Sequence, residues 1–245
     1  MFTIKDPIKT LKEIAIPPGT TKLICSNVGL ESLEGAPDTL IEINCSKNKL
    51  KSLQYCPNIT RLDISDNQLT TLEFCPKTMK ELRISKNKIT TLEHIKDIEI
   101  RSLGCSFNHL TSFIGCPQTI KSMVCVSNFI TSLTGLPARM DQLYISYNKI
   151  KSLKDCPIII NLDISCNLIS SLEFLPKGIK ELNCSNNLLT DLKYCPNGVE
   201  ILRASGNKIE DVKDCPSSVK LLEITKNPIR GKEGLPISVV EFFHD

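Results

Sequence analysis

The chain of 245 residues lacks tryptophan altogether, and aromatic residues make up only 5% of it. Its 30 basic and 27 acidic residues nearly balance, and a net charge of +3 argues against a dedicated nucleic-acid surface. No apolar run approaches the ~18 residues that a transmembrane helix needs. Residues 1–6 also lack the long apolar core of a signal peptide. We therefore expect a soluble, cytoplasmic protein that contacts no membrane.

Motifs for catalysis are missing as well. The sequence contains no glycine-rich phosphate loop, no zinc-protease His-Glu-x-x-His motif and no Gly-x-Ser-x-Gly elbow. Cys105 and His109 are four residues apart, but Cys105 is predicted to point into the core, which argues against a nucleophilic pair. No Cys-x-x-Cys pair supplies the spacing of metal ligands. We expect a protein that is not an enzyme and has no cofactor and no metal site.

One asparagine recurs along the whole chain at intervals of 19 to 21 residues, with a mean period of 20. Such self-similarity is the signature of a repeat protein. The recurring residues are Asn27, Asn48, Asn67, Asn87, Asn108, Asn128, Asn148, Asn167, Asn187, Asn207 and Asn227.

Each repeat predicts one short strand. In the unit that contains Asn187, Leu182 and Cys184 are separated by one residue, which is the period of two expected of a strand. The rest of the unit is too short for a regular helix, and a proline near its end favours extended backbone. A single unit cannot bury its apolar edge, whereas strands stacked in parallel at ~4.8 Å can.

The stretch 179–189 reads Ile-Lys-Glu-Leu-Asn-Cys-Ser-Asn-Asn-Leu-Leu and matches the pattern LxxLxLxxNxL at every required position. In this it resembles the leucine-rich-repeat family, and the segment 190–198 resembles the 20-residue bacterial-type class known from effectors delivered into host cells. Arrays encoded by giant viruses are similar. The class carries two prolines in its variable segment, and only the second is kept here, from Pro37 to Pro236.

The resemblance implies a mainly β fold, a right-handed curved solenoid. A parallel sheet would line the concave face, and extended, polyproline-like or 3-10 segments would form the convex side. We expect an N-terminal cap over 1–22 that can form a short helix over 7–14. About eleven repeats follow over 23–235, and a capping strand over 236–245 ends the chain. For a viral or delivered protein, the expected location becomes the host cytoplasm.

The asparagine column is expected to be structural, because a buried side-chain amide can satisfy backbone groups where each strand bends into its turn. We name it the Asn ladder. Its members are Asn48, Asn67, Asn87, Asn108, Asn128, Asn148, Asn167, Asn187, Asn207 and Asn227.

Ten of the 12 cysteines fall in two columns that aliphatic residues share in other repeats, so we expect them to act as small buried hydrophobes. Disulfides or metal binding between stacked neighbours, such as Cys105 with Cys125 or Cys195 with Cys215, are the alternative.

The solvent-facing strand positions lie six and four residues before each asparagine. They are charged at both ends of the array, but lose charge and gain apolar and aromatic groups between residues 102 and 148. Such clusters are typical of binding patches, although the same rings could simply pack against neighbouring repeats. The predicted partner-binding residues are Ser102, Phe107, Ser122, Val124, Val126, Phe129, Gln142, Tyr144 and Tyr147.

The composition and the repeat favour a non-catalytic protein-interaction module that binds an unknown protein on its concave face. A structural protein that dimerises end to end through its terminal strand is the first alternative. A binder of nucleic acid or phosphate through rows of lysines is the second. One row contains Lys80, Lys121, Lys180 and Lys220, but Asp141 and Glu200 interrupt it, which favours a solvated surface.

Overall fold

A computed structural model describes residues 1–244 of the chain and divides it into two compact units, Met1–Val124 and Cys125–Asp245. Both units are built from parallel strands of two or three residues, joined by return segments with almost no helix. The predicted β solenoid is therefore confirmed. Residues 1–244 contain no helical segment that could span a lipid bilayer.

The first unit contains seven strands, and each pairs in parallel with the next one along the chain. It also contains two short 3-10 turns, Leu11–Glu13 and Glu93–Ile95. The strands are β1 (Phe2–Thr3), β2 (Lys22–Ile24), β3 (Glu42–Asn44), β4 (Arg61–Asp63), β5 (Glu81–Arg83), β6 (Ser102–Gly104) and β7 (Ser122–Val124).

The second unit repeats this arrangement, and its strands again pair in parallel in chain order. They are β8 (Gln142–Tyr144), β9 (Asn161–Asp163), β10 (Glu181–Asn183), β11 (Ile201–Arg203), β12 (Leu221–Glu223) and β13 (Glu241–Phe243). Phe242 lies opposite Leu222, in the strand position that leucine fills in most repeats.

The core is made of columns. The middle residue of each strand points inward, as Leu182 does, while its two neighbours face solvent because side chains alternate along a strand. Ile179, Cys184 and Leu189 of the same repeat are also buried. Because every repeat supplies the same inward set, each buried side chain meets its counterparts in adjacent repeats.

The chain leaves each strand through one left-handed residue, placed directly before the ladder asparagine. The backbone angle φ at this position lies between 54° and 58° in every non-glycine case from Lys47 to Lys226, and Gly206 takes the same place with φ 67°. This conformation costs roughly 1–2 kcal/mol for a residue with a side chain. Repeats keep it because it turns the chain from the sheet into the return segment.

The N-terminal residues follow the path of a repeat. Phe2 and Thr3 pair with Leu23 and Ile24, and a further bridge joins Thr10 to Ser32. The helix predicted over 7–14 is replaced by the 3-10 turn Leu11–Glu13, which a capping box between Thr10 and Glu13 begins. Strand pairing of the segment before it leaves room for only one turn.

Asn27 does not occupy the ladder position that its spacing suggests. The register pairs Lys22 with Glu42, which places Val28 opposite Asn48. The Val28 N–H donates to the Asn48 side-chain oxygen at 3.0 Å, and Asn27 is the left-handed residue before it, with φ 57°. Placing Asn27 in the asparagine column is therefore wrong, and the ladder begins at Asn48.

Candidate functional site

The Asn ladder binds consecutive repeats together. The Oδ1 atom of Asn148 accepts the Ile130 N–H at 2.9 Å, from the repeat before it. Its Nδ2 atom donates to the carbonyl of Cys125 at 3.0 Å in that same repeat and to the carbonyl of Ile145 at 3.1 Å in its own. One buried amide thus satisfies backbone groups of two repeats, and Asn187 makes the same set of bonds. These residues hold the fold and are not a binding surface.

The cysteines pack as small hydrophobes. All twelve are free thiols, and those of the inward strand column, such as Cys105, Cys125 and Cys184, are buried. Burial raises the pKa of the Cys25 and Cys184 thiols to about 12, which makes them poor nucleophiles near neutral pH. Within residues 1–244, no group of three or more His, Cys, Asp and Glu side chains is arranged to hold a metal ion.

The first and third residues of each strand point to solvent, and we call this surface the sheet face. In the first unit it begins as a lattice of opposite charges. Lys22 lies 2.6 Å from one Glu42 oxygen, and Arg61 lies 3.1 Å from the other. These two cations, Lys22 first, lower the pKa of Glu42. The Arg83 guanidinium lies 4.0 Å from Asp63. The charged side chains in this part of the sheet face therefore pair with one another.

The sheet face of the first unit loses all charge at its last two strands. Ser102 and Gly104 lie on β6, and Ser122 and Val124 on β7, where Val124 is 40% exposed. Phe107 lies beside them in the turn that follows β6 and is 52% exposed. The predicted binding residues that fall in this unit are thus all accessible to a partner.

The second unit carries the remaining predicted residues. Gln142 and Tyr144 lie half-buried on β8, and Val126 is half-buried in the preceding turn. Phe129 is 43% exposed, with the Lys149 ammonium 4.8 Å from its ring centroid, and Tyr147 is 62% exposed. Both rings are accessible to solvent.

A shallow depression on the sheet face adjoins Tyr144, and its floor includes Asp163 and Asn183. Asp163 accepts hydrogen bonds from the Ser165 N–H at 2.9 Å and hydroxyl at 2.6 Å through one oxygen. The Asn183 amide donates to its other oxygen at 3.2 Å. These bonds hold the carboxylate in one orientation beside the tyrosine. The sequence placed Asp163 on this face but did not single it out, because its fixed orientation depends on residues of two repeats.

The lysine row is neutralised at several points. Glu200 lies 2.9 Å from Lys180 and 2.6 Å from Lys220, and hydrogen bonds from Lys220 and Lys180 lower its pKa to about 2. Lys80 lies 2.9 Å from Glu99. Ion pairs of this kind favour a solvated surface over a phosphate-binding stripe.

Comparison with known proteins agrees with this architecture. A family model described as a leucine-rich repeat matches residues 55–71. YopM from Yersinia enterocolitica WA-314 superimposes with a TM-score of 0.76 at 25% identity, covering 99% of this chain and 63% of that one. YopM from Yersinia pestis gives 0.72 at 26% identity, covering 92% of this chain and 65% of that one. This chain therefore spans less than two thirds of either YopM chain.

A more distant likeness extends to an internalin from Listeria monocytogenes, with a TM-score of 0.70 at 14% identity, covering 84% of this chain and 67% of that one. No curated protein matches the sequence. The repeat signature, the parallel strands, the asparagine column and these similarities together identify the fold of this chain as a leucine-rich-repeat solenoid, similar to that of bacterial effectors.

Proposed function

We propose that the protein is a non-catalytic interaction module that binds a partner protein on the sheet face, the expected concave face of the solenoid. The supporting observation is that two repeats carry an aromatic residue at the left-handed position directly before the ladder asparagine, Phe107 in the first unit and Tyr147 in the second, each with φ 55°. The same position holds Lys47, Ser127 or Gly206 in other repeats. A bulky ring there carries the conformational cost and, being more than half exposed, gains little burial in return.

Neighbouring groups supply what a protein partner needs. Tyr144 and Tyr147 combine apolar rings with hydroxyls, the composition that is enriched in the centres of protein interfaces. Asp163 offers a fixed acceptor beside Tyr144. Related folds also occur in protein complexes. One matched chain comes from an assembly of Latrophilin 3, Unc5D and FLRT2, with a TM-score of 0.74 at 18% identity, which supports the fold alone.

The test compares a double variant with a matched control in affinity capture from a lysate. Val124→Asp with Tyr144→Asp should abolish partner capture, because charges replace an apolar and an aromatic contact that a partner would bury. Val124 is exposed, but Tyr144 is half-buried and lies opposite Asp163, so the free energy of unfolding should fall by no more than about 2 kcal/mol. Phe174→Asp, at an exposed ring beyond the sheet face, is the control and should retain capture. Capture that survives the double variant would refute the proposal.

We also propose that the protein works in a reducing compartment such as the cytoplasm, which its twelve free cysteines support. Rapid alkylation of a freshly quenched lysate, followed by mass spectrometry of the denatured protein, should find all twelve thiols modified. Protein recovered with oxidised stacked pairs such as Cys105 with Cys125 would refute it.

A further inference from the structure

In the second unit, the column formed by the first residues of the strands contains one apolar interruption. The first residue of each strand from β2 to β10 is polar or charged, but Ile201 on β11 and Leu221 on β12 are aliphatic. They are direct register partners, and both are half-exposed. Val240, 80% exposed, lies beside Leu221 in a shared shallow depression. We call this surface the Ile201–Leu221 strip.

Charges along both long sides of the strip are already paired. On one side Lys180, Glu200 and Lys220 form a chain of ion pairs. On the other side Arg203 lies 3.5 Å from Glu223. Arg203 and Glu223 balance each other, whereas Lys180 and Lys220 share the single Glu200 carboxylate and leave that side with a net charge of +1. Each of these groups already has an ion-pair partner, so a ligand would gain little from them.

The two ends of the strip are different. Strand register places Glu181 next to Ile201 and Glu241 next to Leu221, so the four side chains follow one another across the sheet. Both glutamates are exposed, and neither has an ion-pair partner within residues 1–244. The seven charged groups around the strip therefore carry a net charge of −1, and the two carboxylates without an ion-pair partner lie at its ends. Three strand spacings of ~4.8 Å separate the two carboxylates by ~14 Å.

We propose that the Ile201–Leu221 strip is a second docking surface, and that its occupant is an extended peptide segment of a partner with two basic side chains flanking an apolar one. Side chains two residues apart in an extended chain lie on the same side, and the rise is ~3.3 Å per residue. Basic residues four positions apart are thus ~13 Å apart, which matches the two glutamates. The apolar residue midway between them faces Ile201 and Leu221.

The polarity of the ends discriminates between kinds of ligand. Carboxylates at both ends repel phosphate groups and nucleic acid, and the depression is too open to enclose a small molecule. An apolar centre with charges at its rim is the usual arrangement where a peptide or protein binds. Glu181 also lines the depression beside Tyr144, whereas Ile201, Leu221 and Glu241 do not. The apolar centre of the strip is therefore separate from the Tyr144 region, and the inference does not rest on the proposed function.

Isothermal titration with a short capped peptide tests the proposal. The probe has arginine at its third and seventh positions, leucine at its fifth, and serine or threonine elsewhere. A second peptide replaces both arginines with citrulline, which keeps the shape and removes the charge. At about 50 mM salt the native protein should bind the arginine peptide about tenfold more tightly than the citrulline peptide.

Variants of the protein separate the two contributions. Glu181→Gln combined with Glu241→Gln should bring the ratio of the two affinities close to one. Leu221→Ser should weaken both peptides about tenfold, because apolar contact is lost in each complex. Glu81→Gln, at an exposed glutamate of the same strand position in the first unit, is the matched control and should change neither affinity. At about 0.5 M salt the charge effect should vanish while the Leu221 effect persists.

Three results would overturn the proposal: no binding of the arginine peptide at about 1 mM, equal binding of the two peptides by the native protein, or a Glu181/Glu241 double variant that still prefers arginine. Sedimentation of the free protein provides a further check. Self-association that disappears in the Leu221 variant would make a second copy of the chain the occupant and would equally refute the proposal. The glutamate variants alter only exposed side chains, so the test survives even if Leu221→Ser unfolds.

Discussion

The Asn ladder and the sheet face both recur in each repeat, but they are built in opposite ways. The ladder uses the same residue from Asn48 to Asn227, and Asn148 and Asn187 make the same set of bonds. The sheet face instead changes from a charged lattice around Glu42 to exposed aromatic and apolar residues near Tyr144 and Leu221.

This difference follows from what each side chain must satisfy. A ladder amide has its partners inside the protein, in two repeats at once, so only a group with a donor and an acceptor in that geometry fits. A polar residue of the sheet face can hydrogen-bond to water instead. Replacing such a residue therefore changes the free energy of unfolding little. Stability therefore constrains the residues of the Asn ladder, whereas the residues of the sheet face can vary and are available for recognition.

The largest effect is expected from breaking the ladder. Asn148→Leu leaves the Ile130 N–H and the Cys125 and Ile145 carbonyls without their side-chain partner, so the free energy of unfolding should fall by about 3 kcal/mol. The same change on the sheet face, Asn161→Leu, should cost less than about 0.5 kcal/mol. Urea denaturation of both variants measures the contrast. Equal losses would mean that the ladder is not what distinguishes the two columns.

A smaller loss of stability is expected from adding a side chain where the return segments of neighbouring repeats are in contact. A Cβ atom at Gly115, where φ is +81°, would overlap the Glu93 nitrogen, which lies in the 3-10 turn Glu93–Ile95. Gly178 has φ +100°, but a Cβ atom added there would meet no other atom within 4 Å. Gly115→Ala should cost about 2–3 kcal/mol and Gly178→Ala about 1 kcal/mol, because only the first adds a clash to backbone strain. Thermal unfolding of the pair distinguishes these outcomes, and a more damaging Gly178→Ala would contradict the packing described for Gly115.

Tyr147→Gly tests whether the exposed ring serves partner binding or stability. Glycine relieves roughly 1–2 kcal/mol of left-handed strain but adds roughly 0.5–1 kcal/mol of chain entropy to the unfolded state. Stability should thus stay within about 1 kcal/mol of the native value, while capture of the partner is lost. Denaturation and affinity capture on the same preparation measure both. A clear loss of stability would show that the ring is there for the fold.

The smallest effect concerns the surface ion pairs. Lys220 and Lys180 lower the pKa of Glu200 to about 2, from an ordinary value of 4.5. A lowered folded-state pKa means that this pairing stabilises the protein above about pH 4.5 and that its contribution disappears as pH falls toward 2. An NMR titration of the Glu200 carboxyl carbon should give a midpoint well below 4.5 in the native protein. Lys180→Gln and Lys220→Gln should each raise it, and a native midpoint near 4.5 would show that the pairs do not form in solution.

Columns of the repeat were predictable from the sequence because each is repeated many times. The period, the short parallel strands and the inward positions follow from residues such as Leu182 and Cys184 and are confirmed by the structure. The pattern of the N-terminal segment is not repeated elsewhere in the chain. The helix predicted over 7–14 and the placement of Asn27 therefore could not be checked against other repeats. In both cases the strand pairing, which is a long-range interaction, decided the structure.

The sheet face was predictable in position but not in detail. Alternation along each strand showed which residues face solvent, including Ile201 and Leu221. It could not show that Glu200 takes both neighbouring lysines, since that depends on side-chain geometry across three repeats. The four-residue arrangement that ends at Glu241 was missed because it extends past Asn227, the last asparagine of the alignment.

Amide hydrogen exchange measured by NMR tests the role of the ladder most directly. The N–H groups of Ile130, Ile150, Ile169 and Leu189 belong to buried residues, and each donates to a ladder asparagine. They should be among the most protected amides of the second unit and exchange only when the repeats unfold, with protection at Ile130 lost selectively in the Asn148→Leu variant. Exchange of all four as fast as exposed turn amides would contradict the account.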